Sequence, residues 1–344
     1  MSKTLHRRSI EWCRSGDLQS RLNQWQKRIS SASELRTEEP LSKHSWLRIG
    51  GPARFWVEVG TIEDLWSFLA AIEDAPLFCV GLGSNTLFPD AGIDGVVMRL
   101  VGDLAKWSLK SESQDQAVFE VMGGAINAHL VRSLLKKGWV GAEFLRLIPG
   151  TFGGGVVLNA GTKEKELTEI LGAAWLAIPE KNKERWTVEE RSAEELKMRY
   201  RHASLPEGAL VLGGRIAVKR GDVDVARKLV KDDKERRNRT QPYRLASVGS
   251  TFANPPGDYA GRLIEAVGLK GHAIGGAQVS SLHANFFIND SDATAEDFLS
   301  LMALARYRVR RDFNIEMRPE VRFVGFDGRA RMRDLEQQWE DRDV

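Results

Sequence analysis

Short apolar or alternating segments that end in glycine turns recur along most of the chain. Runs such as HSWLRIGGPARFWVEVG, PLFCVGLGSN and AVFEVMGG predict strands, because successive side chains of a strand point to opposite faces of its sheet. Five further runs have the same character: GVVMRL, GAAWLAI, ALVLGGRIAV, HANFFIND and EVRFVG. Strands are therefore predicted from the first fifth of the chain almost to its end.

Helical patterns separate these strands. TIEDLWSFLAAIED places Thr61 and Asp64 at the spacing of a capping box, and Thr294 and Asp297 repeat that spacing before a longer amphipathic segment. AHLVRSLLKKG and YAGRLIEAVG predict two shorter helices, the second of them ended by Gly268. The mixture predicts an α+β fold.

The two ends and one internal segment are more polar than the rest. Residues 1–40 are charged and rich in serine, and we interpret them as an extension with a weak helical pattern through Ile10, Trp12, Leu18, Leu22 and Trp25. DVDVARKLVKDDKERRNRTQ predicts a solvated connecting helix, and the C-terminal residues predict a polar tail. The expected organisation is an extension at 1–40, a first domain at 41–220, a connecting segment at 221–243, a second domain at 244–326 and a tail at 327–344.

Composition excludes several classes of protein. The net charge is +3, with basic and acidic residues interspersed, so no concentrated basic face indicates nucleic acid as a partner. Cys13 and Cys79, in unlike contexts, exclude a disulfide framework and favour a reducing compartment. No run of about 18 apolar residues predicts a membrane span. We therefore expect a cytoplasmic protein that is neither secreted nor anchored to a membrane.

Glycine-rich turns follow several predicted strands, at residues 50–51, 81–85, 123–124 and 149–155. Successive N–H groups in such turns bind anions, and glycine allows close approach to a pyrophosphate. Several such turns favour a dinucleotide ligand, and ordinary tight turns are the alternative. GLGSNT has Thr86 in place of the third glycine of a Rossmann fingerprint, and a turn with Pro89 follows it, so that motif is excluded. No P-loop sequence occurs.

Other candidate chemistry is less distinctive. The six histidines show neither HExxH nor any other paired metal-binding spacing, so no metal site is expected. Ser250, in SVGSTFANPPGDYAG, could be a catalytic group, a helix cap or a polar residue of a bend, and it lies outside a G-x-S-x-G motif. Taken singly, Arg201 is typical of a surface arginine and Glu320 of a solvated or edge residue.

The order of six motifs is more specific than any one of them. LRIGGPARF, GLGSNTLFPDAGIDGVVMRL, IPGTFGGGVVLNAG, YRHASL, GSTFANPPGDYAGRLIEAVGLKGHAIGGAQVSSLHANFFIN and PEVRFVG follow one another between residues 42 and 325. Together they resemble the UDP-N-acetylenolpyruvoylglucosamine reductase family, in the branch with the shorter C-terminal domain. The resemblance implies a two-part FAD-binding domain of the vanillyl-alcohol-oxidase type at 41–220 and a smaller α+β substrate-binding domain at 244–326.

The resemblance also implies a reaction. NADPH reduces a non-covalently bound FAD, and the reduced flavin converts the enolpyruvyl ether of UDP-N-acetylglucosamine to UDP-N-acetylmuramate, a step in bacterial peptidoglycan precursor synthesis. Cys79 lies in an apolar predicted strand, so we expect no covalent flavin link. The UDP-sugar and NADPH are the implied partners, and no protein partner is implied.

The family motifs assign roles to particular residues of this chain. Arg201 and Glu320 would stabilise the negative charge that develops when hydride adds to the enolpyruvyl group, and Ser250 would then donate a proton. The implied flavin-binding positions are Gly81, Gly83, Ser84, Asn85, Pro149, Gly150, Thr151, Gly153 and Gly154. The implied substrate-binding positions are Tyr200, Asn254 and Arg322.

Some positions depart from the family pattern. Leu147 replaces a usual glycine, His202 and Ala203 replace Asp-Ser, and Ala253 replaces a common lysine. None of them is an implied catalytic position, so an active reductase is the leading hypothesis. The alternative is a non-catalytic descendant that binds flavin or a UDP-sugar.

Overall fold

The computed structural model describes residues 17–73, 75–180 and 185–341. These residues form two compact units, each assembled from separate stretches of the chain. The first contains the chain up to Thr37, Phe55–Gly81 and Gly95–Asp233. The second contains Glu38–Arg54, Leu82–Asp94 and the chain from Lys234 onward. Of the helical pattern expected in the extension, Ile10 and Trp12 lie outside the described residues, as does Cys13.

Helices occur where the sequence predicted them and at two further places, Phe152–Val157 (α4) and Gly328–Glu340 (α8). In the described ranges they are α1 (Leu18–Gln26), α2 (Ile62–Ile72), α3 (Asn127–Lys136), α4 (Phe152–Val157), α5 (Val223–Thr240), α6 (Ala260–Ala266), α7 (Ala295–Phe313) and α8 (Gly328–Glu340). The Thr61 and Thr294 hydroxyls cap α2 and α7, accepting from the N–H groups of Asp64 at 3.1 Å and Asp297 at 3.0 Å. The solvated helix α5 is confirmed, because Ala226 is its one buried residue. No helix in the described ranges is long and apolar enough to cross a membrane.

Strands make up four sheets. They are β1 (Glu34–Pro40), β2 (Pro52–Val59), β3 (Leu77–Cys79), β4 (Thr86–Leu87), β5 (Ile93–Leu100), β6 (Trp107–Glu112), β7 (Gln116–Met122), β8 (Trp139–Val140), β9 (Leu171–Pro179), β10 (Trp186–Arg191), β11 (Leu210–Arg220), β12 (Ala246–Ser250), β13 (Ala273–Ile274), β14 (Ala277–Val279), β15 (Phe286–Asn289) and β16 (Arg322–Phe323). The sheet orders are β1-β2-β5-β3, β10-β9-β11-β7-β6 with β8 beside β11, β12-β15-β14-β13, and β16-β4. Each run predicted as strand contains one, although residues 44–51 of HSWLRIGGPARFWVEVG form no strand and EVRFVG forms only two strand residues.

The first unit contains two apolar clusters. One includes Phe119 of β7 and Phe152 of α4, both buried. In the other, the rings of Trp25 and Phe68 lie 5.3 Å apart. The Trp25 indole N–H also donates to the carbonyl of Asp64 at 3.2 Å. The described part of the predicted extension therefore contributes to the core of the first unit.

The second unit has a core built around three aromatic rings. Phe287 lies edge-on to both Phe252 and Phe298, with centroids 5.9 Å apart in each pair. Met332 and Leu335 of α8 are buried in the same cluster. The prediction of a polar tail is therefore wrong for most of residues 327–344. The apolar residues of that segment are few, but they lie on one helical face, which is sufficient to pack it against a core.

Candidate active site

Ser250 ends β12, next to an irregularity in its pairing with β15. Ser247 pairs with Ile288 and Ser250 with Phe286, so β12 carries one extra residue between these pairs. Gly249 has a φ of +76°, and a Cβ there would meet no atom within 4 Å. The glycine is therefore required by the backbone conformation and not by crowding. Bulges of this kind change the direction of a side chain, and here the affected side chain is that of Ser250.

Glu320 is held beside the residue that follows Ser250. Its backbone N–H donates to the carbonyl of Thr251 at 2.9 Å. Its own carbonyl accepts from the side-chain Nδ2 of Asn85 at 3.0 Å. Phe252, which follows Thr251, and Pro319, which precedes Glu320, form an antiparallel β-bridge. Two positions far apart in sequence are therefore brought together through the carbonyl of Thr251.

The predicted flavin-binding turn at residues 82–85 belongs to the same unit. Gly83 has a φ of +63°, and a Cβ there would lie 1.9 Å from the carbonyl oxygen of His44, so only glycine fits. The N–H groups of Leu82 and Gly83 donate to no acceptor in the described part of the chain. Among the described residues, the buried Oδ1 of Asn85 also has no partner. These unused donors and this unused acceptor fit a dinucleotide, which carries phosphate oxygens and ring N–H groups.

The second predicted flavin-binding turn, residues 149–154, lies in the first unit. The Thr151 hydroxyl accepts from the N–H of Gly154 at 3.4 Å and begins α4. The N–H of Gly153 donates to the carbonyl of Gly123 at 2.8 Å, which joins two glycine turns. A Cβ on Gly81 would lie 2.7 Å from the Oγ1 of Thr151. The first unit thus packs Gly81 directly against the Thr151 side chain, a close approach that the missing Cβ of glycine permits.

Arg201 and Tyr200 occupy the tip of a tight turn in the first unit. Arg199 and His202 exchange both backbone hydrogen bonds across it, each 2.9 Å long. Arg201 has a φ of +54°, a left-handed conformation that is uncommon for residues other than glycine. Its guanidinium carbon lies 4.7 Å from the ring centroid of Tyr200. Such backbone outliers cluster at functional sites, where the surrounding structure maintains them.

The two remaining substrate-binding candidates lie in the second unit. Arg322 of β16 pairs with Thr86 of β4, and Arg322 is exposed. Desolvation, followed by the positive charge of Arg329, lowers the pKa of Arg322. The side-chain oxygen of Asn254 accepts from the N–H of Ala260 at 3.1 Å. Asn254 therefore also fixes the start of α6.

Two of the departures from the family pattern, Ala253 and His202, have defined partners in the structure. Ala253 is 4% exposed, and its N–H donates to the carbonyl of Arg318 at 2.9 Å, a backbone bond that every residue except proline can make. The ring Nε2 of His202 lies 3.2 Å from the hydroxyl oxygen of Ser204. In the described ranges, no group of three or more His, Cys, Asp or Glu residues could hold a metal ion.

Two residues of this region were not identified from the sequence. Thr251 is fully buried, and Asn285 is 3% exposed. The sequence did contain a signal for Asn285, which is a polar residue within the apolar run HANFFIN. A polar residue in a strand that is expected to be buried indicates a specific hydrogen-bonding role. Their partners could not be predicted, because they lie in distant parts of the chain.

Comparison with known proteins gives matches over most of the chain. A family model for the UDP-N-acetylenolpyruvoylglucosamine reductase C-terminal domain matches residues 241–324, and one for an FAD binding domain matches residues 53–171. UDP-N-acetylenolpyruvoylglucosamine reductase of Anaeromyxobacter sp. (strain Fw109-5) is 40% identical over 294 residues, covering 85% of this chain and 89% of that protein. The reductase of Methylococcus capsulatus is 41% identical over 288 residues, covering 83% of this chain and 92% of that protein.

A solved structure shows the same fold. UDP-N-acetylenolpyruvylglucosamine reductase from Thermus caldophilus matches with a TM-score of 0.70 at 32% identity, covering 85% of this chain and 98% of that one. The predicted α+β fold is therefore confirmed, with an FAD-binding domain matched over residues 53–171 and the C-terminal domain of the reductase matched over residues 241–324. With this fold, and with relatives at about two-fifths identity over most of its length, the chain belongs to the UDP-N-acetylenolpyruvoylglucosamine reductase family.

Proposed function

We propose that the protein uses NADPH and FAD to reduce UDP-N-acetyl-3-O-(1-carboxyvinyl)-glucosamine to UDP-N-acetylmuramate in peptidoglycan precursor synthesis. Family membership supports the substrate, and the FAD-binding domain supports the flavin. The observation that carries the proposal is the joining of the Ser250 and Glu320 segments through the carbonyl of Thr251. A bound FAD would supply the hydride chemistry, with NADPH as the hydride source.

The chain must stabilise charge after the hydride adds. Addition at the terminal enolpyruvyl carbon leaves negative charge delocalised into the substrate carboxylate. We assign its stabilisation to Arg201, as a cation, and to a protonated Glu320, as a hydrogen-bond donor. Both stand on constrained backbone, Arg201 in a left-handed turn and Glu320 bonded through its N–H and its carbonyl. Groups held in place before the charge develops need no reorganisation during the reaction.

A proton must then reach the carbon next to the carboxylate. We assign this step to the hydroxyl of Ser250. A serine hydroxyl is a weak acid, but the carbon of an enediolate is a strong base, so transfer is favourable when the geometry is right. The bulge at Gly249 supports this assignment, because it sets the direction of the Ser250 side chain.

Binding is assigned to the remaining predicted positions. The turns at residues 81–85 and 149–154 would hold FAD non-covalently, through backbone N–H groups and Asn85. Tyr200, Asn254 and Arg322 would contact the UDP-sugar, and Arg322 supplies a positive charge suited to its phosphates or carboxylate. A cytoplasmic location remains part of the proposal and rests on the cysteine content.

The two half-reactions test this proposal separately. The purified protein should be yellow, and it should consume NADPH over many turnovers only when the UDP-sugar substrate is present. Ser250→Ala should keep flavin reduction by NADPH but lower turnover about 10²–10⁴-fold, the range expected for the loss of a general acid. Ser247→Ala, on the same strand before the bulge, is the matched control and should behave as wild type.

Three results would contradict the proposal in whole or in part. Protein that carries no FAD after purification and does not bind added FAD would exclude the cofactor. Unchanged turnover in Ser250→Ala would remove the proton-donor role. A flavin-binding protein that never oxidises NADPH with this substrate would instead favour a non-catalytic descendant of the same fold.

A further inference from the structure

Asn285 is a buried amide that binds both backbone hydrogen-bonding groups of one residue close to Ser250. Its Oδ1 accepts from the N–H of Phe252 at 3.0 Å. Its Nδ2 donates to the carbonyl of the same residue at 2.8 Å. Both hydrogen-bonding groups of one residue are therefore satisfied by a single side chain, which acts as a neighbouring strand would.

The Asn285 hydrogen bonds begin where the regular pairing of β12 with β15 ends. The N–H of Thr251 donates to the carbonyl of Asn285 at 2.8 Å. The N–H of Phe287 donates to the hydroxyl of Thr251 at 3.3 Å. Strand β15 starts at Phe286, so the Asn285 side chain extends the pairing past the bulge that carries Ser250.

The opposite edge of the same segment holds Glu320. The carbonyl of Thr251 accepts from the N–H of Glu320 at 2.9 Å, and the N–H of Ala253 donates to the carbonyl of Arg318 at 2.9 Å. Residues 251–253 therefore lie between Asn285 on one side and residues 318–320 on the other. A shift of the Phe252 backbone would move Ser250, because the two are joined by a single residue. It would also move Glu320, because Glu320 is hydrogen-bonded to that residue, Thr251.

We propose that Asn285 is a positioning residue that sets the places of Ser250 and Glu320 for the proton-transfer half of the reaction. The inference rests on the function proposed above. Asn285 acts through the backbone of Thr251 and Phe252. Loss of its amide leaves the N–H and carbonyl of Phe252 buried without partners, and such groups move to find new ones.

Two substitutions distinguish the effect of the Asn285 hydrogen bonds from the effect of its packing. Asn285→Leu removes both side-chain hydrogen bonds at similar volume, and Asn285→Asp keeps an acceptor for the N–H of Phe252 but removes the donor to its carbonyl. In the flavin-loaded, full-length protein, Asn285→Leu should reduce flavin with NADPH at nearly the wild-type rate. In this variant, the oxidation of the reduced flavin by the UDP-sugar should slow about 10²-fold, the scale expected when a reacting group is misplaced by 1 Å. Asn285→Asp should lie between Asn285→Leu and wild type.

The solvent isotope effect gives a readout that a merely structural role would not change. Slower proton donation should raise the deuterium isotope effect on the substrate half-reaction and leave that on flavin reduction unchanged. Asn289→Leu is the matched control, because Asn289 of β15 also bonds two backbone groups with its side chain, the carbonyl of Leu47 at 3.0 Å and the N–H of Ala293 at 2.9 Å. It should lose stability without changing the ratio of the two half-reactions.

The outcomes distinguish this inference from the function on which it rests. Equal slowing of both half-reactions in Asn285→Leu, or normal rates in both, would overturn the positioning role. If Ser250→Ala also leaves the substrate half-reaction unchanged, the proton-donor step of the proposed function itself fails. If Asn285→Leu does not fold, Asn285→Asp decides, because it must slow only the substrate half-reaction for the inference to stand.

Discussion

At the scale of single residues, Gly249 shows how a local bend becomes a feature of the candidate site. The sequence left Ser250 open between a catalytic group, a cap and a bend. The structure places it after a bulge in which Gly249 has a φ of +76°. That bulge is defined by the register of β12 against a strand that lies later in the chain, so the motif around Ser250 could not reveal it.

Gly249→Ala should therefore affect both stability and chemistry. A left-handed backbone costs an L-residue about 1–2 kcal/mol, and no atom lies near enough to add a steric clash. We expect the free energy of unfolding to fall by about 1 kcal/mol. The substrate half-reaction should slow while flavin reduction by NADPH is unchanged, because relaxation of the bulge redirects Ser250. Urea denaturation and rapid mixing measure these two effects.

Gly268→Ala is the control for backbone strain. Gly268 has a φ of +73°, and a Cβ there would also meet nothing within 4 Å, but the residue lies after α6 and outside the bulge. It should lose similar stability with normal kinetics. Equal kinetic effects in the two variants would mean that the bulge has no special influence on Ser250.

The remaining site residues fall into two groups: those that a local sequence motif identifies, and those whose role depends on distant parts of the chain. Motifs in the chain identified Arg201, Ser250 and Glu320 as candidates, because each stands in a short segment of recognisable order. Thr251 and Asn285 were missed because their roles depend on hydrogen bonds between segments that are distant in sequence. Their roles became visible only when the partners of each buried backbone group were known.

At the scale of elements, α2 shows both the success and the limit of a local motif. The spacing of Thr61 and Asp64 predicted a capping box, and the Thr61 hydroxyl does accept from the N–H of Asp64. The Asp64 carboxylate, however, accepts from the hydroxyls of Ser30 at 2.5 Å and Ser33 at 2.7 Å. The start of α2 is therefore tied to the turn before β1, a contact that the capping motif does not encode.

Asp64→Asn should weaken this tie in a pH-dependent manner. Burial alone would raise the pKa of Asp64, but hydrogen bonds from Ser30, Ser33 and Thr61 outweigh it, and the pKa is lowered. The lowered pKa means that the carboxylate contributes stability above its unfolded pKa of about 3.9, and that this stability disappears as the pH falls through the folded pKa. We expect a loss of about 1–3 kcal/mol at pH 7, from weakened hydrogen bonds to a charged group.

The measurement is urea denaturation of wild type and variant across the acid range. The difference between the two proteins should be constant near neutral pH and should shrink at acid pH. Asp94→Asn is the control, because the Asp94 side chain is 84% exposed in an ion pair with Arg54, and such pairs contribute little. A difference between Asp64→Asn and wild type that did not change with pH would rule out the charged hydrogen bonds as its source.

At the scale of the whole molecule, the order of elements was predictable and their grouping was not. Periodicity gave the strands and most helices in sequence order, and the motif order gave the family. The domain boundaries read from the sequence follow the chain, whereas the second compact unit takes in the separated stretches Glu38–Arg54 and Leu82–Asp94. Long-range contacts of this kind leave no local pattern, because each stretch is only a short run of strand and turn residues.

The C-terminal segment is the clearest case in which composition misled the prediction. Charged residues dominate it, yet α8 packs against the second core, and Glu336 is 4% exposed. The buried carboxylate of Glu336 binds Arg306, which also donates to the carbonyl of Met317, shortly before Glu320. A charged residue is rarely buried unless it is paired, and the partner of Glu336 lies on α7. Through Arg306, α8 is thus connected to the segment that carries Glu320.

Leu335→Ala tests whether α8 is integral to the folded protein. Leu335 is 6% exposed, so its truncation leaves a cavity, and the free energy of unfolding should fall by about 2–3 kcal/mol. Arg333→Ala on the exposed face of the same helix is the control and should change it by less than about 0.5 kcal/mol. Both values come from urea denaturation of the full-length protein. If residues 327–344 were a solvated tail, the two substitutions would have the same small effect, because neither side chain would leave a packed environment.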